Sequence, residues 1–195
     1  MKLTVLVLSL FIALPAAAQE LGPDDLVRKV TADVMASYSS DKQLQSGDRK
    51  QALALAEQKV LPHVDFREAA QLAMGRSWAL ANPAQQAQIV NEFRAMLVRI
   101  YSNAIGIYRG QTMKVLPVRM PAGATEAVVR NQYISEGRPP VPVEYAMRKT
   151  PEGWKIYDIT VEGVSLVLTY RAEFENVVRT SGIEGLLKRL AEKNA

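Results

Sequence analysis

The chain has 195 residues, 48% hydrophobic and 23% charged, with a formal charge of +4, one histidine and no cysteine. Such a length suits one domain, or a domain with a small subdomain, of the usual about 100–200 residues. The absence of cysteine excludes disulfides, thiol nucleophiles and thiolate metal sites, and a lone imidazole excludes multi-histidine zinc sites and the two-histidine iron triad.

Residues 1–18 read as an export signal. Met1-Lys2 is a short positive start, and Leu3 to Leu14 is an unbroken run of apolar and hydroxyl residues. Pro15 breaks the run, and Ala16-Ala17-Ala18 supplies the small residues of a cleavage site before Gln19. The run is too short to span about 30 Å of hydrocarbon as a helix, and no cysteine follows it for lipid attachment. Cleavage after Ala18 leaves 177 of the 195 residues and removes only Lys2, taking the formal charge from +4 to +3. The short, alanine-rich signal has a bacterial character, so the expected destination is the periplasm. Residues 19–195 are then a single domain, helical over 22–110, a sheet over 113–161, and helical again over 164–193.

Gly22-Pro23-Asp24-Asp25 opens the first helix with acidic residues at its positive end, and Leu26, Val27, Val30, Val34 and Tyr38 keep helical spacing. Ser46-Gly47-Asp48 breaks the chain before a second helix that runs to Leu61, where Pro62 stops it. Asp65 is placed to cap a third, which Gly75 ends. Asn82-Pro83, a capping residue and a first-turn proline, starts the longest periodic segment. Its stripe from Ile89 and Phe93 through Leu97, Tyr101 and Ile105 to Tyr108 demands a large apolar partner.

After Gly110 the period changes to two. Met113 to Met120, Thr125 to Ser135, the alternating Val143, Tyr145 and Met147, and Trp154 to Val161 predict four strands with short connections. Helical spacing returns from Val164, and Gly182 divides off a last amphipathic piece. The expected architecture is α+β, with helices against one face of a curved four-stranded antiparallel sheet.

Catalytic patterns are weak. His63 has Asp65 near it but no nucleophile, which favours a histidine at a helix junction making a local hydrogen bond. Ser165 lies in Gly163-Val164-Ser165-Leu166-Val167, which lacks the closing glycine of a nucleophile elbow and reads as a turn with a capping serine. Asp158 sits mid-strand, where structural pairing with an arginine is the simpler role for a buried carboxylate. No glycine-rich phosphate loop or paired carboxylates at metal spacing occur, and the basic residues are scattered, which argues against nucleic acid.

More apolar side chains remain than one sheet face requires. Either the core is thick, or a cavity between helices and sheet is lined by them; pattern alone leaves both open.

Several segments, in the same order, resemble one family. They are Val60-Leu61-Pro62-His63-Val64-Asp65-Phe66, Met74-Gly75-Arg76-Ser77-Trp78, Phe93 to Tyr101, Trp154-Lys155-Ile156-Tyr157-Asp158-Ile159, and Glu162-Gly163-Val164-Ser165-Leu166-Val167 with Tyr170-Arg171. The set resembles the periplasmic phospholipid carriers of the Mla lipid-asymmetry system, also called toluene-tolerance proteins, over nearly all of residues 19–195. One departure is Thr169, where the family pattern has asparagine before Tyr-Arg.

The resemblance implies a sheet related to the nuclear-transport-factor-2-like fold and a monomeric carrier with no cofactor, whose cargo is a phospholipid held by its acyl chains. Implied partners are an outer-membrane lipoprotein–porin complex and an inner-membrane ABC transporter, reached through its hexameric substrate-binding-domain subunit. The expected lining residues are Leu97, Tyr101 and Ile105 on the long helix, and Val115, Val129, Val143, Tyr145, Met147, Trp154 and Ile156 on the sheet. Val164, Val167 and Tyr170 complete the set, with Arg76 and Arg171 as neighbours of the phosphate. The alternatives are an enzyme on the same fold with Asp158 or His63 as general base, and an interaction module with a solid core.

Overall fold

Helix α1 (Pro23–Ser40) begins with proline in its first turn beside Asp24 and Asp25, whose carboxylates suit the positive helix end and both bind Arg28. The computed structural model describes residues 21–101 and 112–195. The expected export signal, Ile105 and the rest of the long helix beyond Tyr101 lie outside the described residues.

Two short helices follow, each capped by an aspartate. Asp41 accepts from the Gln43 and Leu44 amides ahead of α2 (Lys42–Gln45), and Asp48 from the Lys50 and Gln51 amides ahead of α3 (Arg49–Lys59). A 3-10 turn, Leu61–His63, carries Pro62 and leads to α4 (Phe66–Met74). Asp65 caps α4 through the Glu68 amide at 2.9 Å, and Gly75 ends it at φ 54°. A further 3-10 segment, Gly75–Leu80, precedes α5 (Pro83–Tyr101). Asn82 and Gln85 cap α5 reciprocally, each side chain accepting from the other's amide.

The sheet is a five-stranded antiparallel meander in sequence order: β1 (Thr112–Val115), β2 (Glu126–Ile134), β3 (Val141–Thr150), β4 (Gly153–Val161) and β5 (Val164–Ser165). Four strands were expected; the fifth is the two-residue return at Val164, where helical spacing had been read. Residues 164, 167 and 168 satisfy a helical period by coincidence of a hairpin and a 3-10 turn, Leu168–Tyr170. The helix itself, α6 (Arg171–Asn194), starts later. The first strand is also shorter than the expected Met113–Met120. In β4, Tyr157 is an extra residue against β3, because Ala146 pairs with Asp158 while Met147 pairs with Ile156. The outer edge of β4 is covered near this point by Val64, which bridges Ile156, and by the Asp65 amide donating to the Ile156 carbonyl at 2.8 Å.

Gly182, at φ 67° and ψ −173°, interrupts α6. The two halves fold against each other, since Glu173 binds both Arg189 and Lys193. In an unbroken helix those residues would be roughly 24 Å or more from Glu173. Only glycine enters that backbone region without strain of about 1–3 kcal/mol.

Among the described residues the interior is divided. One core belongs to helices: Ala69, Ala70, Ala73 and Met74 of α4, Ile89, Phe93 and Met96 of α5, and Phe174, Val178, Leu186 and Leu190 of α6. Phe93 meets Phe174 edge-on at 5.3 Å. Over the described part of the long helix, Pro83–Tyr101, the apolar stripe therefore packs on α4 and α6. A second core joins Leu26 and Val27 of α1 to Val129, Met147 and Trp154 of the sheet, and a third joins the far end of α1 to α2 and α3. Among the described helices, α1 is the one whose buried side chains join the sheet core. The expectation is that the helices as a group cover one sheet face; among the described residues, α1 supplies the buried helical side chains on that face.

Candidate functional site: an apolar sheet face beneath helix α1

Period two decides which side chains share the face under α1. The register pairs Val129 with Tyr145, Asn131 with Val143 and with Val115, and Met147 with Ile156. All seven of the sheet residues expected to line a cavity, Val115, Val129, Val143, Tyr145, Met147, Trp154 and Ile156, therefore lie on one face. Val129 and Met147 are fully buried, and Val143 and Trp154 nearly so.

This face opens at one side. Arg28, Thr31 and Ala32 of α1 and Met113 and Val115 of β1 line a cleft of about 330 Å³. Thr31 Oγ1 reaches Met113 Sδ at 3.7 Å across the gap between the two elements. Arg28 stands at the rim, held by Asp24 at 2.8 Å and Asp25 at 3.1 Å. Sequence reading passed over Arg28, Thr31 and Ala32 because it followed only the apolar stripe of α1. Their i, i+3, i+4 spacing beside that stripe was the available signal.

Polar groups also sit on the face. The Tyr133 and Tyr145 hydroxyls are 3.0 Å apart, and burial, with the neighbouring Tyr133, pushes the Tyr145 hydroxyl well above its ordinary value. Asn131 is buried on β2 between Tyr133 and Val129. Asn131 and Tyr133 also escaped sequence reading, although they continue the parity of Val129 along β2.

The other expected lining residues are elsewhere. Leu97, Val167 and Tyr170 pack in the helical core. Burial and a hydrogen bond to Tyr101 hold the Tyr170 hydroxyl well above its usual range. Val164 is 60% exposed. Arg171 donates to the Leu72 carbonyl at 3.2 and 2.5 Å, so its charge closes the C-terminal turn of α4. Arg76 is exposed in the 3-10 segment after α4.

The residues weighed for catalysis are occupied structurally. Asp158 points to the face opposite Tyr145 and accepts from Ser165 Oγ at 2.6 Å and from the amides of Ile159 and Val167 at 2.8 and 3.2 Å. Ser165 Oγ in turn accepts from the Leu168 amide at 2.8 Å. The pair fastens the turn from β4 through β5 into the helices. His63 belongs to the 3-10 turn, where burial, followed by the charges of Lys155 and Lys29, lowers its pKa. Among the described residues, no cluster of histidine and acidic side chains is arranged to hold a metal, and no helix is long and apolar enough to cross a membrane.

The class is that of an α+β protein whose meander sheet has one apolar face, roofed by a helix beside a cleft. Residues 28–192 match the family described as MlaC protein, and the chain belongs to that family. It is 24% identical over 180 residues to the toluene tolerance protein ttg2D of Pseudomonas putida, covering 91% of this chain and 82% of that protein. It is 21% identical over 193 residues to the intermembrane phospholipid transport system binding protein MlaC of Haemophilus influenzae, covering 95% and 88%. Among solved structures, the phospholipid-binding protein of Ralstonia solanacearum, in complex with a phospholipid, superposes with a TM-score of 0.78 at 38% identity, covering 87% of this chain and 94% of that one.

Proposed function

We propose that this protein is a periplasmic carrier that takes a phospholipid by its acyl chains and moves it between the membranes of the cell envelope. The observation that carries this reading is the apolar sheet face beneath α1, continuous with the cleft at Met113 and Val115. The phospholipid bound to the Ralstonia relative and the transport role in the name of the Haemophilus relative support it. So does the export signal read at residues 1–18.

Each buried methylene contributes about 0.8 kcal/mol, so two long acyl chains resist free diffusion in water by an amount on the order of 20 kcal/mol. A carrier removes that barrier by enclosing the chains. The cleft of about 330 Å³ is at the small end of the about 300–1,000 Å³ that encloses a drug-sized ligand. Two acyl chains are larger than that. They enter as α1 separates from the sheet, and the lining side chains of the sheet face then replace α1 with lipid. Arg28 at the rim is the cation nearest a phosphate left at the mouth, where it exchanges its aspartate partners for the phosphodiester. Delivery involves an outer-membrane lipoprotein–porin complex and an inner-membrane ABC transporter, the partners that go with the family. No catalytic step is required, and Asp158 and Ser165 are fully used by the turn they fasten.

The test is native mass spectrometry of protein purified gently from a bacterial periplasm, followed by solvent extraction and lipid analysis. The expected result is a bound phospholipid near one per chain. Protein that purifies empty, and takes up no lipid from phospholipid vesicles, overturns the carrier reading in favour of a solid-cored interaction module.

A further inference from the structure

The polar groups on the apolar sheet face leave hydrogen-bonding capacity unused. Nδ2 of Asn131 donates to the carbonyls of Val129 and Val143 at 3.1 and 3.3 Å. That pair of bonds fixes the amide, because a flipped amide would set its oxygen against two carbonyl oxygens. Oδ1 of Asn131 then has no partner among the described residues, on a side chain only 2% exposed. Buried acceptors are rarely left so, since desolvation without a partner is costly. Nearby on the same face, the Tyr133 and Tyr145 hydroxyls share one bond at 3.0 Å. Two phenols carry two protons and that bond uses one, so a phenolic donor remains. Asn131 pairs directly with Val115, a wall of the cleft. Among the described residues, an unpaired acceptor and a spare donor thus lie one strand in from the opening.

We propose that Asn131, Tyr133 and Tyr145 form a polar subsite that selects cargo bearing an alcohol group. The inference rests on the carrier reading above and specifies the lipid class. The alcohol proton is donated to Asn131 Oδ1, and the spare phenolic proton goes to a ligand oxygen, an ester carbonyl or the alcohol itself. An ordinary two-chain phospholipid brings only ester acceptors into the apolar part of the site. It satisfies the tyrosine pair and leaves Asn131 unpaired. A hydroxylated acyl chain, or the free glycerol hydroxyl of a single-chain lysophospholipid, satisfies both.

The experiment offers delipidated protein equal amounts of dipalmitoyl phosphatidylcholine and its analogue with one 2-hydroxypalmitoyl chain. A second arm offers palmitoyl lysophosphatidylcholine against its methyl ether at the free hydroxyl. Bound lipid is extracted and quantified by mass spectrometry. The expected result is an enrichment of about tenfold for the alcohol in at least one arm, and the arm that responds identifies the source. Asn131→Leu is expected to bring the ratio to about one. Should that variant not fold, Asn131→Ala, which removes the same acceptor without adding bulk, is expected to lower the ratio likewise. Equal binding within both pairs by the wild-type protein overturns the subsite and leaves the carrier reading intact. No uptake of any of the four lipids overturns both.

Discussion

If lipid enters by parting α1 from the sheet, joining the two should stop the exchange. Thr31 and Met113 face each other at 3.7 Å, and the protein has no cysteine of its own. The double variant Thr31→Cys with Met113→Cys, oxidised directly or joined by a short bis-maleimide, closes the cleft. The cost of opening follows from what α1 buries there: Leu26, Val27 and part of Val30. At about 1.5–3 kcal/mol for each buried side chain, separation costs about 4–8 kcal/mol. That is well below the roughly 20 kcal/mol it would cost to leave two acyl chains in water. Opening is therefore rare without lipid, and far less costly than passage of the chains through water. A covalent link removes the opening altogether. Uptake from fluorescent phospholipid vesicles is expected to fall at least tenfold in the linked protein, and reduction of the disulfide is expected to restore it. Unchanged uptake by fully linked protein would show that acyl chains do not pass between α1 and β1.

Two further outcomes follow from the polar groups outside the face. Ser165→Ala removes a donor to the buried Asp158 carboxylate and an acceptor for the Leu168 amide, a loss of about 1–3 kcal/mol. In a chain of this size that lowers Tm by roughly 2–12 °C, with lipid loading retained; calorimetry and lipid analysis of one preparation check both halves. The depressed pKa of His63 means that the folded protein favours the neutral imidazole. Its share of stability is present above the unfolded value of about 6.5 and is lost as pH falls through the lower folded value. Urea midpoints of the wild type and His63→Gln, compared between pH 7.5 and 5, are expected to converge as pH drops. Parallel curves would remove His63 from the pH response.

Local chemistry made much of this fold legible. The caps at Asp65 and Asn82 and the stop at Gly75 are single-residue devices whose hydrogen bonds or backbone geometry involve only the next few residues. Strand parity was equally local, and it gathered seven of the expected lining residues onto one face. What escaped was set by distant partners. The stripe on α5 shows that the helix is buried but not by what, and over the described residues its partners are α4 and α6. Val164 to Tyr170 misread as helix because a tight hairpin followed by a 3-10 turn places apolar groups at helical intervals. Asp158 supplies the information that sequence lacks there, by holding Ser165 and the Val167 amide across the turn.

The divided interior bears on how a carrier releases what it holds. A single continuous core would link any opening of the lipid site to global unfolding, because close-packed side chains do not part in one place alone. Here α4, α5 and α6 bury Phe93, Phe174 and Leu186 among themselves. The sheet face has its own, smaller core roofed by α1. Separating α1 from the sheet breaks the second core and leaves the first untouched, so opening draws on a local stability well below the global one. The turn held by Asp158 and Ser165, and the Val64 bridge to Ile156, keep β4 joined to the helices while this happens. Under the carrier reading, a partner that binds the open arrangement more tightly than the closed one drives release by that difference in affinity alone. The small sheet core is then the functional element, and the helical core is the frame that lets it open and reclose.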